Sequence, residues 1–184
     1  MTFPAVLEVD GELRLATVEL ADCAELFALV DANRAHLRQW LPWLDLNQSA
    51  ADTKAFIERS TQGAAEGTGW TLVIRYEGNL SGTIGFNWID RANRACEIGY
   101  WLAEDATGKG LITRSVRALL DFAFDDLALN RINLSIAVGN HPSRKVAERL
   151  GFTEEGIARQ AEWLYDHYVD LVRYAMLREH RPVD

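Results

Sequence analysis

Apolar and polar positions along this chain alternate between strand-like and helix-like periods. Leu7 to Leu15 reads as a first strand, punctuated by Asp10-Gly11. Ala24, Phe27, Ala28 and Val30 recur at roughly helical spacing up to Asn33. A short amphipathic piece, Arg34 to Trp40, stops at Leu41-Pro42. Ser49-Ala50-Ala51-Asp52 has a capping-box pattern and opens a helix through Phe56 and Ile57, expected to fray over Gly63 to Gly69. Trp70 to Tyr76 and Leu80 to Ile89 read as strands about a Glu77-Gly78-Asn79 turn, and a loop leads to a strand at Ala95 to Leu102.

The strongest helical signal follows. Val116, Leu119, Leu120, Ala123, Phe124 and Leu127 form one continuous apolar stripe. Arg131 to Val138 reads as a strand, and a helix from about Pro142 is capped by Gly151. Two final strands, Phe152 to Trp163 and Tyr168 to Leu177, join through Tyr165-Asp166. The pattern is that of an α/β protein with a strand–helix–strand–helix unit in its second half.

The 184 residues, 48% hydrophobic and 25% charged, suit a single domain over 1–184 with a core that needs no disulfide or metal. Cys23 and Cys96 read as reduced thiols, and no histidine spacing resembles a metal site. No 18-residue apolar run is present, and the first ten residues lack the features of a signal peptide, so a cytoplasmic protein without a membrane span is expected. The net charge of −8 disfavours binding of nucleic acid and is compatible with a cationic acceptor such as an amine.

Candidate chemistry begins where the strand Glu97-Ile98-Gly99-Tyr100-Trp101-Leu102 runs into Thr107-Gly108-Lys109-Gly110-Leu111-Ile112-Thr113, the start of the strongest helix. A glycine turn at a helix N-terminus presents outward amides and a dipole that favours anions, although the same residues also make an ordinary tight turn. The spacing is neither a Walker A loop nor a dinucleotide fingerprint.

Further residues complete a larger pattern: Asn130-Arg131, Val138-Gly139-Asn140, Ser143, and Ala147 through Phe152, with Asn33 through Trp43 upstream and Tyr168-Val169-Asp170 downstream. Together they resemble the GNAT acetyltransferase superfamily, specifically its RimJ/RimL branch. The resemblance implies a GNAT fold: a mixed, mostly antiparallel seven-stranded sheet, splayed between strands 4 and 5 and flanked by helices. It implies acetyl-CoA as co-substrate and no metal. The turn Thr107 to Thr113 would wrap the coenzyme pyrophosphate, although only Gly110 strictly matches the superfamily's glycine pattern. Ile112 replaces a small residue there and would crowd the phosphates unless it faces the core. The pantetheine would lie along Tyr100, Trp101 and Leu102, with Asn140 bonding its arm or capping the next helix.

The tyrosine that many members use as acid is replaced by Ala147. The branch instead implies Glu162 as base and Ser143 as a donor near the thiol; the plain alternatives are a solvated strand carboxylate and a helix hydroxyl. His36, Trp40 and Trp43 would line the acceptor cleft or form a packed aromatic corner. The implied acceptor is the N-terminal α-amine of a ribosomal protein, with a small-molecule amine, or a module that binds acyl-CoA without turnover, as alternatives. The resemblance, with Trp40, Trp43 and Trp163 as surface aromatics, also implies a homodimer.

Overall fold

A computed structural model describes residues 3–182; Met1, Thr2, Val183 and Asp184 lie outside it. The segment read as one opening strand is a hairpin, β1 (Val6–Glu8) and β2 (Leu13–Thr17), with Leu7 opposite Leu15. Asp10 is the physical reason: its Oδ1 accepts from the amides of Glu12 and Leu13, both at 3.0 Å, and folds the chain back. Among the described residues the sheet therefore has eight strands rather than seven.

Helices α1 (Cys23–Ala32), α2 (Arg34–Leu37) and α3 (Ala50–Glu66) follow. Ser49 and Asp52 satisfy each other's backbone amides at the start of α3. That helix does not fray at Gly63. It runs to Glu66 and ends at Gly67, whose φ of +68° suits a left-handed cap. Strands β3 (Trp70–Tyr76) and β4 (Asn79–Asp90) close on a two-residue turn with positive φ at Glu77 and Gly78. After β5 (Ala95–Leu102), α4 (Leu111–Asp121) carries the predicted apolar stripe and continues as one π-helical turn to Asp126. The chain ends with β6 (Arg131–Ala137), α5 (His141–Leu150), β7 (Thr153–Leu164) and β8 (His167–Leu177).

The strand order is β1-β2-β3-β4-β5-β6-β8-β7, antiparallel except for the parallel pair β5–β6. That pair is short, joining only Ala95 to Arg131, Cys96 to Ile132 and Glu97 to Asn133. From Ile98 onward β5 stays paired with β4 on one side and has no strand partner on the other among the described residues. Strand alternation then sorts the side chains onto two faces. Ile98, Tyr100 and Leu102 join Leu134 and Ile136 in the main core with Val116, Leu119 and Ala147 of α4 and α5. Trp101 points the other way, into the smaller clusters that α1 and α3 build with Leu26, Val30 and Ile57.

Candidate active site

The splay leaves a slot through the sheet, and each face brings different chemistry to it. On the α4/α5 side, Gly108 and Gly110 have φ of +77° and +73°, and nothing lies within 4 Å of where a Cβ would stand on either. Gly110 offers no side chain to the first-turn amides of α4, which are left uncapped at the positive end of the helix. Ile112 is buried in the core, so it does not crowd this turn, and Leu111 is buried beside it. Thr107 donates its hydroxyl back to the Glu104 carbonyl at 2.7 Å, bracing the loop. Thr113 accepts from Arg149 at 3.2 Å, and the Lys109 ammonium lies 5.4 Å from the Tyr76 ring. The open glycine turn, the bare amides and the nearby cations fit a phosphorylated coenzyme.

Beside the slot on this face, the Tyr100 hydroxyl and Ser143 Oγ stand 2.8 Å apart. Burial pushes the Tyr100 phenol up to about 12, so it stays protonated at neutral pH. Asn140 Oδ1 accepts from the Ser143 amide at 3.3 Å, so its carboxamide is the N-cap of α5 and fixes Ser143. Ala147, at the position matching the tyrosine of the resembled superfamily, is fully buried. The Cys96 thiol is buried too, and burial raises its pKa and holds it protonated.

The opposite face carries the carboxylates. Glu97 sits on the last rung before the splay; it accepts from Ser135 Oγ at 2.6 Å and from Asn87 Nδ2 at 3.3 Å. Asn87 reaches it from a bulge in β4, and Arg173 of β8 lies 3.8 Å from the same carboxylate while donating to Ser135. Glu162 is half-buried on β7. Burial raises its pKa first and the charge of Glu97 second, with Arg173 opposing. Its orientation follows from a wide bulge between Ala158 and Glu162, where Gln160 takes a φ of +49°. Asp170 pins that bulge by accepting from the Gln160 amide at 2.7 Å, which accounts for the Asp in the Tyr168-Val169-Asp170 motif.

The segment Asn33 to Trp43 is a frame over this face. Asn33 Oδ1 accepts from the Glu104 amide, and Arg34 donates to the carbonyls of Leu44 and Asn47. Trp40 lies 3.7 Å from the Cβ position of Gly139, at the end of β6. Arg38 stacks over the Tyr165 ring at 3.5 Å, and Tyr165 donates to the Leu41 carbonyl, tying the β7–β8 hairpin to the frame. Trp43 tilts against Trp101 at 6.3 Å, and both line a pocket of about 270 Å³. His36 does not line that pocket. Sequence reading missed the Tyr100 hydroxyl, Glu97, Ser135, Arg173 and Tyr165. The Glu97 position was quoted in the motif, but only the fold reveals its partners.

A slot with an open glycine turn at a helix N-terminus on one face and carboxylates on the other suits an acyl-coenzyme-dependent transferase. The family model described as "Acetyltransferase (GNAT) domain" matches residues 12–153, and the chain belongs to that family. It is 34% identical over 171 residues to the ribosomal-protein-serine acetyltransferase of Escherichia coli (strain K12), covering 93% of this chain and 96% of that one. The structure of RimL, a ribosomal L7/L12 alpha-N-protein acetyltransferase in complex with coenzyme A, superposes with a TM-score of 0.91 at 30% identity, over 94% of this chain and 97% of that one. The microcin C7 self immunity acetyltransferase MccE, in complex with acetyl-CoA and AMP, gives 0.92 at 30% identity, over 95% and 97%.

Proposed function

We propose that the chain, as one acetyltransferase domain over 1–184, moves an acetyl group from acetyl-CoA to the N-terminal α-amine of a protein. The observation that carries this reading is the division of the slot. Hydrogen-bond donors for a thiolate lie on one face, and a half-buried carboxylate with a raised pKa lies on the other.

The turn Thr107 to Thr113 holds the pyrophosphate, and the unpaired edge of β5 at Tyr100, Trp101 and Leu102 aligns the pantetheine and offers an amide to the thioester oxygen. Glu162 accepts the amine proton, directly or through water, as nitrogen attacks the carbonyl carbon. The C–N bond forms, the C–S bond breaks, and the departing thiolate accepts a hydrogen bond from Ser143, which Tyr100 backs, before taking its proton from solvent. Trp43 lines the acceptor's pocket, and Trp40 and His36 border the approach from the same frame. An α-amine suits one carboxylate. Its pKa of about 7.8 against about 10.4 for lysine makes deprotonation easier by roughly 3.5 kcal/mol.

A second reading, a small-molecule amine, draws support from the apolar pocket and from the AMP in the MccE complex. Thiol release from acetyl-CoA separates the two: peptides with free termini are expected to outpace free amino acids, polyamines and nucleotide-linked amines. The reverse order would favour the small acceptor, and no release with any amine would leave a coenzyme-binding module.

The raised pKa of Glu162 has a kinetic consequence. Below the pKa values of both base and amine, kcat/KM climbs with slope two in pH, and it breaks to slope one as Glu162 ionises. That break is expected above the ordinary carboxylate range, because burial and Glu97 disfavour the charge. Glu97→Gln removes the nearby negative charge and leaves Arg173, so the break moves down. An unmoved break would uncouple the two carboxylates.

A protein acceptor of this kind places the enzyme in the cytoplasm. Two copies associate through the outer hairpin β7–β8, where Ile157 and Trp163 of β7 and Tyr168 of β8 remain 54%, 50% and 57% exposed. Light scattering is expected to give twice the 20.7 kDa chain mass at micromolar concentration; a strict monomer would contradict this.

A further inference from the structure

The pocket between α1, α3 and β4–β5 has features that proton transfer does not use. Its walls are Leu26, Val30, Trp43, Phe56 and Trp101, which are large and apolar. Two polar side chains are buried among them, Thr83 at 7% and Asn47 at 9% exposure. Thr83 makes no side-chain hydrogen bond among the described residues. Asn47 accepts from Thr53 through its Oδ1, at 3.1 Å, but its Nδ2 donates to none of them. Buried polar groups are ordinarily paired, so two free ones in an apolar pocket are provision for a ligand.

Charge narrows the ligand further. Asp52 lines the pocket, but its carboxylate is engaged by the cap of α3, accepting from Gln48 and Ser49. Arg59, six residues beyond Thr53 on α3 and exposed at the rim, has no partner among the described residues. Its guanidinium is free to meet an anion. Position decides which ligand matters. Trp101 forms a wall of the pocket and shares the β5 face of Glu97, so the pocket lies on the carboxylate side of the slot, the side from which an amine would approach.

We propose that this pocket is the acceptor's specificity subsite. It takes a large apolar side chain from the first two residues of a peptide terminus, with a following acidic residue at Arg59. The proposal rests on the reading of a protein α-amine as acceptor. Thr83 and Asn47 hydrogen-bond the peptide backbone that carries the side chain.

The test uses the full chain with coenzyme A and N-acetylated product peptides, which bind without reacting. Calorimetry is expected to show leucine or phenylalanine in the first two positions binding about ten- to fifty-fold tighter than alanine, the scale of burying a few methylenes. Phe56→Ala should remove most of that preference. Arg59→Glu, at an exposed position, should reverse a several-fold preference for a following aspartate over lysine. Equal affinity across the apolar series, or an aspartate preference unchanged in Arg59→Glu, would overturn the subsite. Turnover of the free peptides is measured alongside. Flat binding with brisk acetylation overturns the subsite alone. Selective binding with acetylation confined to lysine overturns the α-amine reading and with it this assignment.

Discussion

Glu162→Gln is expected to lower kcat by roughly 100-fold or more, the scale for losing a general base, with acetyl-CoA affinity retained. Glutamine keeps the shape and the place on β7 but has no site to accept the amine proton. The bulge pinned by Asp170 is backbone-based, so the substitution leaves it intact. The residual rate should lose the slope-two region of the pH profile, because only the amine still titrates. Ser143→Ala should act more mildly, since the Tyr100 hydroxyl remains with its proton and water can fill the gap. Activity equal to wild type in Glu162→Gln across pH 6–9 would make Glu162 a bystander and shift attention to Glu97.

Gly110→Val should weaken coenzyme binding by at least about 100-fold, and the comparison with Gly110→Ala separates two causes. A Cβ at Gly110 meets no protein atom, so the protein itself has room for a side chain. The first cause is conformational: a φ of +73° costs an L-residue about 1–2 kcal/mol, and more when the side chain is branched at Cβ. The second is intrusion where pyrophosphate approaches the backbone. Alanine carries mainly the first cost and should lose about ten-fold; valine carries both. Calorimetry on folded proteins reads the difference, and unchanged affinity in Gly110→Val would place the coenzyme elsewhere.

The legible parts of the fold were those encoded locally. The stripe from Val116 to Leu127, the capping box at Ser49 and the Gly151 cap each depend on residues within a few positions, and all three are present. Errors arose where local signals competed. Asp10-Gly11 was read as punctuation within a strand, but the carboxylate of Asp10 makes it a turn. The helix opened by Ser49 reads as fraying over Gly63 to Gly69, but the left-handed cap at Gly67 ends it sharply. The contacts around the slot were beyond such reading. Tyr100 meets Ser143 across 43 residues and Tyr165 meets Leu41 across 124. Glu162 approaches Glu97 only because β8 is threaded between β6 and β7. Periodicity gives strands but not their order, so the residues of the motifs were visible while their partners were not.

The central claim is that acetyl passes from acetyl-CoA to an α-amine at this slot. Its most direct test is a competition between two peptides of matched sequence, one with a free terminus and the other with a blocked terminus and a single lysine. Both are incubated with enzyme and isotopically labelled acetyl-CoA near pH 7, and the modified nitrogen is located by mass spectrometry. The account predicts label on the free α-amine in clear excess, lost in Glu162→Gln; faster labelling of the blocked lysine peptide would contradict it.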